Sequence, residues 1–194
     1  MKMKEYAMLA ALGHGPRSGY DLNRWFEEVA SHFCTAGYSS VYPALARFEE
    51  DGLVVHETVP SGKGPERKVY SLTSEGWTAL LEWTTTPAKA PETRDEQLVK
   101  ALNYGMLPGA AARRLIYQAR RSHAEKLAYY EERTRGLEER RDQGEISTEA
   151  YIGTRLTLIR AITAEESYVR WCDEALAFLA SESGGLELQP EAMG

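Results

Sequence analysis

Cysteine, histidine and excess basic charge are all in short supply in this chain of 194 residues. The only two cysteines, Cys34 and Cys172, lie far apart and form no metal-ligand spacing. Such scarcity fits a reducing, cytoplasmic setting. Cys34 is either a small apolar filler or an oxidation-sensitive thiol. The four histidines are scattered, without carboxylate or cysteine partners at ligand spacing, so no metal is expected. Long apolar runs are missing too. The stretch Tyr6–Leu12 behind two lysines is too short for a signal peptide and has no small-residue cleavage site. It reads as a first helix stopped by Gly13, and no segment approaches bilayer length, so no membrane partner is expected. The sequence holds no internal repeat, no nucleophile–base constellation, no paired acid set and no phosphate-cradling loop. Ser18-Gly19, Gly62-Lys63-Gly64 and Gly184-Gly185 lack the strand–glycine–helix context. An enzyme is therefore not expected, nor is a cofactor.

Net charge is −6. Residues 1–87 carry 8 Lys/Arg against 11 Asp/Glu, net −3, and residues 88–194 carry 15 against 18, also net −3. Totals of this sign argue against indiscriminate nucleic-acid binding. Screening limits each exposed charge to about 8–10 Å, so local placement outweighs the sum.

Local placement is informative over residues 39–54, SSVYPALARFEEDGLV. At about 100° per residue, Val41, Leu45 and Phe48 share one side of a helix. Ser39, Ser40, Pro43 and Arg47 project the other way, with Tyr42 on the flank. Glu49, Glu50 and Asp51 oppose the macrodipole at the helix end, so helix stability does not account for them. A helix whose neutral-to-positive first turns enter a major groove, acidic end outward, has this pattern. Gly52 is the expected terminator. Leu53–Val59 reads as a strand, residues 60–65 (Pro-Ser-Gly-Lys-Gly-Pro) as a loop, and Lys68–Leu72 as the returning strand. Lys63, Arg67 and Lys68 put three cations beside one acid, Glu66. Thr73 then caps a helix through Trp77, Leu80, Leu81 and Trp83. Helix, hairpin and helix in this order predict a winged helix-turn-helix.

Three motifs carry a family resemblance: GPRSGYDL over residues 15–22, VYPAL with its E-D-G-L exit, and PERKVYSLT over 65–73 followed by Gly76. Together they resemble the PadR family of bacterial transcriptional regulators over roughly the first 85 residues. The resemblance implies a homodimer on a pseudo-palindromic double-stranded DNA operator, one recognition helix per half-site. It also implies release of repression by a small molecule in some members.

The expected fold is mainly α with a small β-wing. Residues 1–87 form the DNA-binding domain, 88–94 a linker, 95–180 a long-helix dimerisation domain and 181–194 a disordered tail. Within the first, a helix spans Lys2–Leu12 and Pro16 to Ser18 is a turn. A second helix capped by Ser18 runs to about Ser31. Thr93 and Glu96 suggest a capping box for a helix through Leu98, Leu102 and Met106. Pro108 starts a helix running to about Asp142, Gly144 breaks it, and Ser147 or Thr148 caps a last helix to about Ala180. On that helix Ile162, Val169, Cys172, Leu176 and Leu179 recur at heptad-like steps, which assigns them to a dimer interface.

DNA contacts are assigned to Ser18, Ser39, Ser40, Tyr42, Pro43, Arg47, Lys63, Arg67 and Lys68. Arg47 either pairs bidentately with guanine or binds phosphate. Tyr42 either binds phosphate or packs, and the wing cations clamp phosphates. Trp77, Trp83, Tyr168 and Trp171 either line an apolar or aromatic effector pocket or fill cores. The expected function is a cytoplasmic homodimeric repressor. The alternative is a dimeric interaction adaptor whose winged helix binds protein instead of DNA.

Overall fold

Lys2 opens the first helix, α1 (Met3–Gly13), by donating its backbone N–H to the Glu5 carboxylate at 2.7 Å. This satisfies one of the donors that a helix start leaves unpaired. In the computed structural model, which describes residues 1–27, 41–61, 64–88 and 95–182, α1 buries Met8, Leu9, Ala11 and Leu12. The chain divides into two compact units, Met1–Ala90 and Pro91–Gly194.

In the first unit the Arg17 guanidinium turns back to donate to the Ala11 carbonyl at 3.0 Å, placing a cation at the C-terminal end of α1. Arg17–Ser18 form a two-residue strand, β1, where the sequence predicted only a turn. The reason is non-local: β1 pairs antiparallel with a strand fifty residues downstream, matching Arg17 to Tyr70 and Ser18 to Val69. Helix α2 (Gly19–Trp25) follows, shorter than predicted as a regular α-helix; residues 28–40 lie outside those described. Helix α3 spans Val41–Glu50. Its exit is a Schellman turn. Gly52 takes φ +71°, the Leu53 N–H reaches the Phe48 carbonyl at 2.8 Å, and the Gly52 N–H reaches that of Glu49 at 3.1 Å.

Strands β2 (Val54–Ser61) and β3 (Gly64–Leu72) form the wing, and the sheet order is β1-β3-β2. The register runs from Val54 opposite Leu72 to Val59 opposite Arg67, with a shift between Val59 and Ser61. Pairing therefore extends through Pro60 and Pro65, which the sequence predicted as loop. Proline is compatible with an edge strand or an irregularity: Pro60 lies on the edge strand β2 at the register shift, and Pro65 lies on a stretch of β3 beyond the short β1, which pairs only with Val69 and Tyr70. Thr73 caps α4 (Ser74–Thr85) as expected: its hydroxyl accepts the Gly76 N–H at 3.0 Å and donates to the Gly52 carbonyl at 2.7 Å. At Gly76 a β-carbon would stand 2.1 Å from the Leu53 carbonyl oxygen, so only glycine lets α4 approach this closely. One cluster fills the unit, joining Met8, Leu9, Leu22, Val41, Leu45, Phe48, Val54, Tyr70 and Leu80. Each such fully buried large side chain contributes about 1.5–3 kcal/mol.

The second unit begins with α5 (Glu96–Ala101), capped by Asp95, whose carboxylate accepts the Gln97 N–H at 2.9 Å. The predicted Thr93 cap is displaced by this nearer acid; Thr93 itself lies outside the described residues. The helix is also shorter than predicted, and Tyr104–Met106 form a separate 3-10 turn. Helices α6 (Gly109–Asp142) and α7 (Thr148–Glu182) make an antiparallel hairpin about 50 Å long. Ser147 caps α7 by accepting the Ala150 N–H at 3.2 Å. Apolar packing occurs at its two ends. Tyr104, Ala112, Ile116 and Cys172 cluster at one, and Tyr130, Leu137 and Leu158 at the other. Between them the seam is polar, with His123 against Glu165 at 2.5 Å.

This packing removes Cys172 from the predicted dimer stripe and leaves its other members partly exposed. Cys172 is fully buried inside the protomer, while Leu176 and Leu179 pack around the same cluster and Ile162 around the other. Val169 is only half-buried. The heptad-like spacing on α7 serves first to hold α6. Apolar side chains left outside include Leu98, Val99 and Leu102 near α5, and Ile152, Leu156 and Ile159 along α7.

Candidate nucleic-acid interface

Amphipathicity sets the orientation of α3. Val41, Ala44, Leu45 and Phe48 enter the core, so Tyr42, Pro43, Ala46, Arg47 and Glu50 form the exposed face. Ala46 belongs to this face although the sequence reading did not single it out; the same periodicity contains it. Its small side chain leaves room for close approach of another surface. Ser39 and Ser40, predicted at the helix entry, lie outside the described residues, as do Cys34 and Lys63.

Tyr42 is both exposed and packed. More than half its surface is open, yet its ring covers Gly19, where a β-carbon would stand 2.5 Å from the ring. The first turn of α3 is thereby seated on the first turn of α2. Ser18 is a correction. It is buried, its hydroxyl donates to Asp21 at 2.7 Å, and the same oxygen accepts the Asp21 N–H at 3.2 Å. It is a buried N-cap whose hydroxyl and backbone N–H both donate to Asp21, so neither donor is left for a phosphate. Asp21 ionises more readily than an ordinary aspartate. Burial opposes this, but the Ser18 hydroxyl and N–H and the nearby Arg67 and Arg17 outweigh it.

Arg47 has a partner that sequence reading missed. Its Nη2 donates to Glu5 Oε1 at 2.6 Å, while the guanidinium lies 5.7 Å from the centre of the Phe48 ring. The arginine side chain remains half exposed; the glutamate side chain is only 10% exposed. Glu5 is held below the usual carboxylate value of 4.5, chiefly by the Lys2 N–H and further by Arg47, against the cost of burial. The available signal was the lone acid of the helix, three residues after Lys2 and just ahead of its apolar stretch. Glu49, by contrast, turns from this face to pair with His56 on β2. One acid at the helix end is therefore explained by the wing.

On the wing Arg67 and Lys68 are exposed. As neighbours in a strand they point to opposite sides of the sheet. Glu57 on β2 is a second exposed acid alongside Glu66. The aromatic candidates fall two to each unit. Trp83 stacks on Tyr6 with centroids 4.5 Å apart, and Trp77 is partly exposed. In the other unit Tyr168 stacks on His123 at 3.6 Å, meets Trp171 edge-on at 5.3 Å, and donates to Asp95 at 3.3 Å. Burial, with Asp95 beside it, pushes the Tyr168 phenol well above its ordinary value. Among the described residues no group of His, Cys, Asp and Glu could hold a metal, and no helix is long and apolar enough to cross a membrane.

Known proteins share this arrangement. Residues 8–82 match the profile of the transcriptional regulator PadR-like family, and residues 93–180 that of the virulence activator alpha C-terminal region. The negative transcriptional regulator PadR of Bacillus subtilis is 29% identical over 180 residues, 92% of this chain and 98% of that protein. The crystal structure of Bacillus subtilis PadR in complex with operator DNA superposes with a TM-score of 0.82, covering 92% of this chain and 99% of that one. Its complex with p-coumaric acid gives 0.75 at 27% identity, over 92% of this chain and 99% of that one. With a winged helix that presents α3 outward and a long-helix unit behind it in sequence, residues 8–82 of the chain are a PadR-like transcriptional regulator domain.

Proposed function

We propose that the protein is a homodimeric repressor that binds a pseudo-palindromic operator and is released by a small aromatic effector. The observation that carries this reading is the exposed face of α3, where Tyr42, Pro43, Ala46 and Arg47 stand clear of the core. In this reading α3 enters the major groove, Arg47 reads a base edge, and Arg67 and Lys68 contact flanking phosphates. Ser39, Ser40 and Lys63 complete the set of candidate contacts. Residues 1–87 act as the reading head, 88–94 as a linker and 95–180 as the dimerisation region. Its exposed Ile152, Leu156 and Ile159 replace the stripe centred on Cys172 as the candidate dimer face. Two copies would present their α3 helices about one duplex turn, roughly 34–36 Å, apart.

Support comes from the Bacillus subtilis relative, named a negative regulator and crystallised with operator DNA and with p-coumaric acid. A phenolic or similar aromatic ligand suits the aromatic candidates of either unit taken by itself, Trp77 and Trp83 in the first or Tyr168 and Trp171 in the second. Its binding would change the angle between winged domains and hence the half-site spacing.

The test is a footprint on the adjoining promoter, with titrations at several salt concentrations. A protected palindrome and a complex that weakens steeply with salt are expected. Absence of binding even at low salt would instead favour an interaction adaptor. Arg47→Ala should cost about 1–3 kcal/mol of operator selectivity. Equal losses on operator and random DNA would reduce Arg47 to a phosphate contact.

A further inference from the structure

Among the described residues of the first unit, the Glu5–Arg47 ion pair reaches the face proposed to read DNA. Glu5 and Arg47 are 42 residues apart, on different helices. Glu5 is fixed at both ends of its carboxylate: Oε2 accepts the Lys2 N–H at 2.7 Å and Oε1 accepts Arg47 Nη2 at 2.6 Å. Its side chain is nearly buried and cannot follow the guanidinium outward without abandoning the start of α1. Arg47 therefore sits in a fixed socket with half its side chain exposed.

Two consequences follow from the donor geometry. A guanidinium has five N–H donors in a rigid fork. Nη2 contributes one hydrogen to each of the two edges able to make bidentate contacts. Glu5 takes one of them, so one two-donor edge stays intact, and its direction is set by the socket. The pair is also close to neutral, which lowers its attraction to phosphate in general while leaving the remaining N–H groups directional. A free arginine on this helix would bind any backbone within reach.

We propose that Glu5 is a positioning and specificity-determining residue, which holds the Arg47 fork for base reading and suppresses its use as a phosphate clamp. This rests on the DNA-binding reading above. It also accounts for a recognition unit that reads DNA while carrying a net charge of −3 over residues 1–87. Discrimination is gained by weakening the non-specific competitor as well as by improving the specific complex.

The experiment compares wild type, Glu5→Gln, Arg47→Ala and the double variant on operator and on random duplex, across a salt series. Glutamine keeps an acceptor for the Lys2 N–H but removes the charge. For Glu5→Gln the operator-to-random affinity ratio should fall about 10-fold, within the range expected for one base contact. Random-duplex binding should hold or tighten, and its salt slope should steepen by up to about 0.9, one further phosphate. Adding Glu5→Gln to Arg47→Ala should change the ratio no further. An unchanged ratio and slope, or ratio losses that add in the double variant, would overturn the proposal. A parallel fall on both duplexes, with a lowered melting temperature, would show a purely structural acid and overturn it as well. Wild-type protein with no operator preference would instead bring down the DNA-binding reading itself. Nitrogen-15 spectra of wild-type arginine side chains test the socket even if the glutamine variant does not fold. Hindered rotation with distinct Nη signals is expected for Arg47, and fully averaged signals would refute it.

Discussion

The two units spend their apolar residues differently. Among the described residues, thirteen buried side chains of the N-terminal unit join one continuous cluster, whereas the longer C-terminal unit buries seven, split four and three. The first unit closes on itself through four helices and a wing. The second is a hairpin whose middle is polar and whose surface keeps Leu98, Val99, Leu102, Met106, Ile152 and Leu156 exposed. A small domain with one shared core can stand alone; a pair of long helices with this much apolar surface is what the proposed dimer would cover with a second pair. Self-sufficiency thus marks the reading head, and incompleteness marks the part assigned to assembly.

Cutting the chain after residue 87 is the harshest way to break that contrast. The fragment should remain folded and monomeric, with operator affinity lower by about 10²–10⁴-fold once the second head is no longer tethered. Sedimentation and titration check both halves of the expectation. A dimeric fragment would move the assembly surface into the reading head.

A pair of glycines sharpens it. Gly76→Ala should destabilise by about 3 kcal/mol, because the new methyl meets backbone at Leu53 and no side chain can yield. Gly136→Ala, inside α6 with nothing within 4 Å of its β-carbon, should stabilise by about 0.5–1 kcal/mol. Denaturant melts report each value. A destabilising Gly136→Ala would mean that a partner protomer lies against that stretch of α6.

Acid gives the mildest contrast. Glu5 and Asp21 both have depressed values in the folded state. Their contribution is therefore complete above the unfolded values of 4.5 and 3.8, and is lost as pH falls through the lower folded ones. Asp173 is also depressed, first by its hydrogen bond from Arg120, but that pair is exposed and screened. Thermal melts from pH 7 to 3 should show the loss in the 1–87 fragment, and Glu5→Gln should flatten it. A fragment whose melting is indifferent to acid would deny these carboxylates any role in stability.

Much of the reading head was legible because its signals are local. The apolar face of α3, the Gly52 exit and the Thr73 cap each depend on residues within a few positions of one another. What escaped was non-local or competitive. Strand β1 exists only because Val69 and Tyr70 arrive beside it. Glu5 acquires its meaning from Arg47, which no spacing rule connects to it. Asp95 and Thr93 were rival caps, and Asp95 additionally accepts from Tyr168. The spacing of Cys172, Leu176 and Leu179 would look the same whether the opposing helix belonged to the same chain or to another. Periodicity identifies a buried stripe without naming its neighbour.

Thr73 has a mechanical consequence. Its hydroxyl joins the carbonyl at the end of α3 to the amide at the start of α4, so both feet of the wing are bolted at one point. The hairpin is a cantilever with a clamped root. Force applied near Arg67 and Lys68 is delivered to the last turn of α3 and the first turn of α4, with no loose joint at the base to absorb it.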